Sequence, residues 1–519
     1  MTPRNALTRG LPLACAALAL AGAAQAQQTT LTIGMASADA GRLDPHVAIT
    51  TPDKGLLHYM FNGLVRIAPG QASPEYIEPD IAESWTASDD GLVWTFTLRE
   101  DVACHGDWGM LTAEDVVFSL ERAANSETSA FAGDYAAVSS FEATGEYEVT
   151  ITLENPVPSL LGMLVGYHGG NIVCRAAVEE MGEEFERAPV GTGPWMFEEY
   201  QPQQYVRLVA HENYFRGAPE IKEIIYRYIP SDSSRDLAFQ AGEIDMLYGR
   251  QDQTWLDRIR QVPDTTVVAM RPGEMSQLML NMRMEPMDDV RVRRAIAHAI
   301  DREAMVAFKG PDVTLPALSP VPEGYLGFTE DIPQYDYSPE RARELLAEAG
   351  FPDGVTVTAI HTTLPGMLAT IEAIQAQLRQ SGIDLQIDLV EHATFHAQIR
   401  EDLSMVTHYS AARFPVADTY LTQFSHSSAS PGLPTSITNF SHCDVADAEI
   451  EAARVEPDPD RQLELWAQAQ YNIMEAVCVV PIFQNMQLWA WTDRLDLGHE
   501  VFGSLNLSPA LTEASRFTD

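Results

Sequence analysis

Apolar and polar residues alternate most cleanly in two short runs. Leu92, Trp94, Phe96 and Leu98 take every second place, with Val93, Thr95 and Thr97 between them. Tyr147, Val149, Ile151 and Leu153 do the same against Glu148, Thr150 and Thr152. A period of two puts one set on one face, so both runs predict half-buried strands. Ser88-Asp89-Asp90-Gly91 ahead of the first run is a turn, since Asp bonds nearby backbone and Gly accepts a positive φ. Asn155-Pro156-Val157-Pro158 stops the second, because proline removes a ladder donor. Between the runs the spacing becomes helical. Val116/Val117, Leu120 and Ala123/Ala124 form one stripe, and Thr112 with Asp115 opens it as a short capping box.

The same reading extends along the chain. Residues 29–35 and Ile224–Ile229 predict strands. Pro189-Val190-Gly191-Thr192-Gly193-Pro194-Trp195 is a rigid turn, and it lacks the Lys-Ser/Thr that a phosphate cradle requires. Residues 270–282 are expected to cross from a first lobe to a second, with Leu278, Leu280 and Met282 alternating around Met279 and Asn281. Val292, Ala295/Ile296 and Ala299/Ile300 share a helical face, with Arg291, Arg293 and Arg294 expected on a solvated basic face. Residues 311–337 predict a long loop. Ser338-Pro339-Glu340 opens a helix that Gly350 ends. Val355–Ile360, Leu368–Ser381 and Ile383–Val390 follow in β-α-β order. From Arg400 to Asp444 the pattern weakens. Helices resume at Asp444–Arg454 and Asp460–Val477, and Val479–Phe483 predicts a buried strand. The sum is a mixed α/β chain, and 519 residues suit two or more lobes.

The motifs also occur in a recognisable order. Leu43-Asp44-Pro45 precedes Gly63-Leu64-Val65. Asp80-Ile81-Ala82-Glu83-Ser84-Trp85, Asp89-Asp90-Gly91 and the run from Leu111 to Arg122 come next. Gly191–Trp195, Asn213–Pro219 and Ala241–Asp245 follow, then Leu280-Asn281 through Pro286, Asp289 and Arg291-Val292-Arg293 to Asp301-Arg302. This order resembles the peptide/nickel/oligopeptide family, family 5, of solute-binding proteins that serve ABC importers. The resemblance implies a two-lobed periplasmic-binding-protein fold with two hinge crossings and a subdomain inserted in the first lobe. It implies residues 27–70, 71–188 (the insert), 189–272 and 481–519 for the first lobe, and 273–480 for the second. It also implies capture of a peptide or peptide-sized solute by hinge closure, and delivery to a membrane permease, without covalent chemistry or a cofactor. Asp44, beside the family's cleft, reads as a turn or cap aspartate. Alternatives are a metal complex or another non-peptide, anionic solute, and, in a different class, an extracytoplasmic hydrolase. No HExxH, GxSxG, GxxxxGK[ST] or CxxC motif supports the hydrolase.

Charge and leader sharpen the setting. Residues 1–26 read as a secretory signal: Arg4 and Arg9, an apolar stretch from Leu11 to Ala24, and an Ala24-Gln25-Ala26 cleavage site. Cys15 lies inside the apolar stretch, so lipid anchoring through it is the lesser reading. The formal net charge is −41, and loss of the leader removes two arginines and no acid, leaving −43. Such a chain does not favour nucleic-acid phosphates or anionic membranes, and it is expected in the periplasm as a monomer. Four cysteines remain, allowing three pairings. Cys104–Cys174 and Cys443–Cys478 are the sequence-local choice, with free buried thiols as the other state.

Candidate site residues come from the resemblance. In peptide-binding relatives a second-lobe segment supplies an aspartate that holds the ligand's ammonium. Placing Thr419-Tyr420-Leu421 on the family's pattern puts Arg413 at or beside that aspartate, with Asp418 nearer the turn. An arginine repels an ammonium and attracts a carboxylate or phosphate; its other role is a surface or interlobe salt bridge. By the same placement Thr50, Thr51, Tyr409, Phe414, Phe483 and Gln484 line the cleft, each with core packing as the competing role. His392 and His396, four apart, have metal-ligand spacing. Without a third ligand they read as surface residues, as does His442-Cys443-Asp444, so no metal site is assigned.

Overall fold

The computed structural model describes residues 28–48, 50–157, 159–167, 169–433, 438–456 and 458–518. The leader, its cleavage site and Cys15 lie outside them. One sheet organises the molecule. Its strands run in the order Val406–Ala411, Thr265–Leu280, Val479–Thr492, Met246–Tyr248, Thr30–Met35, Glu223–Tyr228, Tyr205–Ala210 and Trp195–Gln201. Thr30–Met35 is parallel to Glu223–Tyr228 and to Met246–Tyr248. These three strands therefore end side by side, at Met35, Tyr228 and Tyr248. In open α/β sheets ligands gather beyond such carboxyl ends.

Two long strands link two cores. The first crossing strand, Thr265–Leu280, pairs antiparallel with the return strand, Val479–Thr492. At one end Met270, Trp489 and Trp491 pack with Leu31, Ile33, Tyr226 and Trp195, which defines the first lobe. At the other end Leu278, Leu280, Val480 and Ile482 pack with Val292, Ile296, Val357 and Leu385, which defines the second. The return strand is far longer than the expected Val479–Phe483 and is buried almost throughout. Its Gln484, Asn485 and Gln487 broke the apolar run on which a sequence reading depends.

The alternating runs behave as expected. Ala82–Ala87, Val93–Leu98, Glu148–Leu153 and Val138–Gly145 form a separate antiparallel sheet in that order. Phe96, Leu98, Val149, Ile151 and Leu153 are buried against Val116, Leu120 and Ala123 of the helix Ala113–Ala124. Asp115 caps that helix by accepting the Thr112 N–H at 2.9 Å. Gly91 takes φ +68°, and the Asp90 carboxylate accepts the Leu92 N–H at 3.1 Å. Asp44 is buried in an ion pair with Arg122, which bonds at 3.0 Å through Nη1. That contact ties the helix Ala113–Ala124 to the loop after the first strand.

Two expectations need correction. Arg293 is buried, not solvated, and donates to the carbonyls of Met287 at 2.6 Å and Ala476 at 2.7 Å. A guanidinium with several fixed carbonyl acceptors can be buried because its donors are satisfied. The stretch from Arg400 to Asp444 also holds a strand, Val406–Ala411, and a helix, Ala417–Ser425, that its sequence did not show. The β-α-β unit is present as Val355–Thr362, Pro365–Gln380 and Ile383–Val390, with its two strands parallel.

Both sequence-local disulfides form, with Cα–Cα distances of 6.1 Å and 5.6 Å. Cys443–Cys478 fastens the loop after Ala417–Ser425 to the start of the return strand, across a separation of 35 residues. Closing a loop of that length removes chain entropy from the unfolded state, so the Cys443→Ser, Cys478→Ser protein should lose ~2–4 kcal/mol of unfolding free energy. Urea denaturation of the oxidised wild type and the double variant measures this difference.

Candidate functional site

Helix Thr51–Leu57 begins beside the carboxyl ends of the parallel strands, where its Pro52 carbonyl accepts from Tyr226 OH at 2.8 Å. Thr50 caps it, accepting the Asp53 N–H at 3.4 Å and donating to the Asp53 carboxylate at 2.7 Å. The cap sets the helix so that Lys54 turns toward Tyr167 and Phe131. Its ammonium lies 3.9 Å from the Tyr167 ring centroid and 5.1 Å from that of Phe131. Lys54 has no ion pair among the described residues. Burial, and then the Arg413 charge, lower its pKa to about 7, with Asp134 opposing.

The crossing strands supply the second wall. Their pairing breaks between Met270 and Glu274, where the sequence reads Arg271-Pro272-Gly273. A Cβ on Gly273 would lie 2.0 Å from the Asn485 carbonyl oxygen, so only glycine lets the strands approach there. The break delivers Glu274 into the same space. Its carboxylate makes no hydrogen bond or ion pair among the described residues, and burial raises its pKa against the pull of Arg413. Its charge also acts on Tyr167, Tyr248, Tyr325 and Tyr420, raising the pKa of each hydroxyl. On the neighbouring positions, buried Gln277, Gln484 and Gln487 each leave the amide Nε2 without a partner, and Asn485 leaves Oδ1. Gln487 Oε1 already accepts from Tyr248 OH at 2.7 Å and Gln251 Nε2 at 3.1 Å, so its orientation is fixed. Buried donors of this kind cost about 1–3 kcal/mol each when unmatched, which makes them ready partners for a polar ligand.

Arg413 comes from the second lobe, just after strand Val406–Ala411. Tyr325 OH holds its backbone, donating to the carbonyl at 2.9 Å. Its guanidinium stacks on Phe424 with 4.7 Å to the ring centroid, donates to Gln423, and reaches the Ala412 carbonyl at 2.9 Å. It forms no ion pair among the described residues, so the salt-bridge role is not the one adopted. The Arg413 charge reaches both Lys54, whose ammonium it disfavours, and Glu274, whose carboxylate it favours.

The other expected residues divide. Gln484 is in the crossing wall with its free amide. Phe414 is buried against Gly162 of the first lobe, where a Gly162 Cβ would lie 2.2 Å from its ring. Tyr409 packs between Phe424 and Phe440, at 6.1 Å and 5.5 Å between centroids. Thr50 is the helix cap described above, and the Thr51 side chain lies outside the described set. Phe483 is part of the second core, with the Lys309 ammonium 5.7 Å from its ring centroid. Asp418 pairs with Arg454 at 3.5 Å within the second lobe, and burial raises its pKa against that pairing. Sequence reasoning missed Lys54, Tyr167, Glu274, Gln277 and Gln487. The Pro272-Gly273 interruption was the one available signal for Glu274.

Other clusters hold structure. Ser276 Oγ lies 2.8 Å from His408 Nε2, and His408 Nδ1 lies 2.9 Å from His361 Nε2. A nucleophile, base and orienting group would look like this, but all three side chains are fully buried and the serine meets no solvent. His392 and His396 are half-buried rather than on the surface, edge to face at 4.6 Å. His442 bonds to Asp402 at 2.9 Å. Among the described residues no three His, Cys, Asp or Glu side chains gather closely enough to hold a metal. A cavity of about 80 Å³ inside the first lobe is lined by Asn62, Arg66 and Asp80. Their groups are already matched, Arg66 to Glu78 at 2.8 Å and Asp80 to Asn62 at 2.9 Å.

A family model described as bacterial extracellular solute-binding proteins, family 5, middle, matches residues 76–432. The chain belongs to this family. Among solved structures it is similar to the binding protein MoaA from A. tumefaciens R10 in complex with mannopinic acid. The two are 46% identical with a TM-score of 0.86, over 95% of this chain and 100% of that one. Di/tripeptide-binding protein 2 of Pseudomonas aeruginosa is 28% identical over 93% of this chain and 94% of its own length. The nickel-binding periplasmic protein of Escherichia coli is 30% identical over 75% and 76%. The fold is thus the two-lobed one of periplasmic binding proteins, and the chain is a solute-binding component of the ABC-importer type. Among the described residues no helix is long and apolar enough to cross a membrane.

Proposed function

We propose that this protein captures an acidic, polar organic solute between its lobes and hands it unchanged to a membrane permease. The observation that carries this reading is Arg413, a half-buried guanidinium without a carboxylate partner whose charge reaches Lys54. Two cations that repel each other in a buried space gain most from an anion between them. The mannopinic acid bound by the 46% identical protein, an amine carrying a polyol and two carboxylates, fits that demand and the free amides of Gln277, Gln484 and Gln487. Peptides are the second reading, favoured by the di/tripeptide-binding relative.

On this reading the mature chain begins after Ala26, is exported and acts as a monomer. The first lobe comprises residues 27–272 with 71–188 inserted, and 481–519; the second comprises 273–480. The register break at Arg271-Pro272-Gly273 serves as part of the hinge. The ligand favours the closed state by touching both lobes at once. Native mass spectrometry of freshly purified protein, followed by calorimetry with mannopinic acid and with alanyl-alanine, tests it. Binding of the dipeptide alone would replace the acidic-solute reading with the peptide one.

A pH dependence follows from Lys54. An anion beside it favours its charged form, which without ligand is lost as pH rises through about 7. The neighbours that set this charge are Arg413, Asp134, Tyr167 and Phe131. Affinity for mannopinic acid should therefore fall as pH is raised from 6 to 8.5 (~tenfold, one unit of affinity per unit of pH above the pKa at most). Calorimetry across that range measures the slope, and Lys54→Met should flatten it.

A further inference from the structure

The cleft carries both signs of charge, and the negative one is unexplained by an acidic ligand. Glu274 is half-buried, has no hydrogen bond or ion pair among the described residues, and sits where the two crossing strands part. An anionic ligand alone would be repelled by it. A buried carboxylate persists when something positive or hydrogen-bonding completes it. Among the described residues only Arg413 acts on it attractively, and that guanidinium already spends donors on Gln423 and Ala412. The Glu274 charge is felt by the buried tyrosines Tyr167, Tyr248, Tyr325 and Tyr420, each of which it makes harder to ionise.

We infer that Glu274 is a specificity-determining residue that holds a cationic nitrogen of the ligand, so that the solute is amphoteric: an ammonium at Glu274 and a carboxylate between Arg413 and Lys54. The inference rests on the proposed function and deepens it. In peptide-binding relatives, the resemblance places the ammonium partner on the second lobe, at or beside Arg413. Here the acid has moved to the crossing strand and the cation stands in the old place. The ligand's polarity along the cleft is thereby reversed, and its nitrogen lies at the junction of the lobes rather than against one of them. Amides of Gln484 and Gln487 on the adjoining return strand flank that nitrogen and are free to bond hydroxyl groups attached near it.

The test uses two related compounds. Mannopinic acid carries a basic amine and two carboxylates. Agropinic acid is its lactam, in which the same nitrogen is an uncharged amide formed with one of those carboxyl groups, so one carboxylate remains. Calorimetry with the full mature chain should show mannopinic acid binding about tenfold or more tighter than agropinic acid. In Glu274→Gln, which keeps size and polarity, the preference should shrink to about threefold or less, chiefly through weaker mannopinic acid binding. Arg413→Ala should weaken both compounds, since both keep a carboxylate. Undiminished discrimination in Glu274→Gln, or equal weakening of both compounds, overturns the assignment of Glu274 while leaving the acidic-solute reading in place. Binding of neither compound by the wild type overturns that reading and the inference with it. Thermal unfolding of each variant shows whether a loss of binding reflects a loss of fold.

Discussion

Gly162→Leu is expected to cripple ligand capture while leaving the protein folded. Gly162 lies in the short helix Leu160–Met163. Phe414 comes from the second lobe, beside Arg413. A Cβ at 162 would sit 2.2 Å from Cε1 and 2.3 Å from Cζ of the Phe414 ring. No heavy atom tolerates that separation, so either the lobes stand apart or Phe414 leaves its place. Each outcome disfavours the closed state. Overpacking of this kind costs about 1–3 kcal/mol, so the dissociation constant should rise about 5- to 150-fold at nearly constant unfolding midpoint. Calorimetry with mannopinic acid and a thermal melt read the two quantities separately. A wild-type affinity would show that the Gly162–Phe414 contact plays no part in closure.

The second large effect lies far from the ligand. Gly191-Thr192-Gly193 runs against the end of helix Thr51–Leu57. A Cβ on Gly193 would meet the Met60 carbonyl carbon at 2.5 Å and the Phe61 nitrogen at 2.8 Å. These are backbone atoms and cannot step aside as a flexible side chain would. The approach exists because Gly193 N–H donates to the Met60 carbonyl at 2.9 Å, while its own carbonyl lies 3.0 Å from His105 Nε2. Thr192 adds a bond to Asn62 at 3.1 Å. Gly193→Val would break several of these bonds and force apart a packed core, at a cost of about 4 kcal/mol or more. The expected result is a lowered unfolding midpoint in urea, with little soluble protein at 37 °C. A stability within ~1 kcal/mol of wild type would mean that the turn can open without consequence.

These two glycines differ in how visible they were. Gly191 and Gly193 stood out because two prolines flank them, and a turn that special has few uses. Gly162 gave no local signal, since its partner is 252 positions away in the chain. The same contrast holds across the fold. Strands with one wet face, such as Val93–Leu98 and Glu148–Leu153, print their period on the sequence. The return strand is buried on both faces and prints none, and its amides interrupt what apolar run there is. The Val406–Ala411 strand was hidden for the same reason: His408 and Thr407 are buried in hydrogen-bonded positions that look polar.

The site was legible only where the chain departs from its family. Arg413 was visible because an arginine stood near an expected aspartate. Its neighbours were not. Lys54 looks like any helix lysine until Tyr167 and Phe131 are folded over it. Glu274 belongs to a strand whose alternation begins only at Leu278, and its lack of partners among the described residues is a property of three-dimensional space alone. Asp418 shows the converse. It is the acid nearest the family pattern, yet Arg454 claims it within the same lobe.

The most direct test of the account is a calorimetric titration of Arg413→Ala with mannopinic acid beside the wild type. Removing a guanidinium that anchors a buried carboxylate should cost about 2–4 kcal/mol, a rise in Kd of roughly 30- to 1,000-fold. The thermal midpoint should stay within about 2 °C, because Arg413 has no ion pair whose loss would strand a buried charge. A wild-type Kd in Arg413→Ala would contradict the claim that this protein holds an acidic solute between its lobes at Arg413.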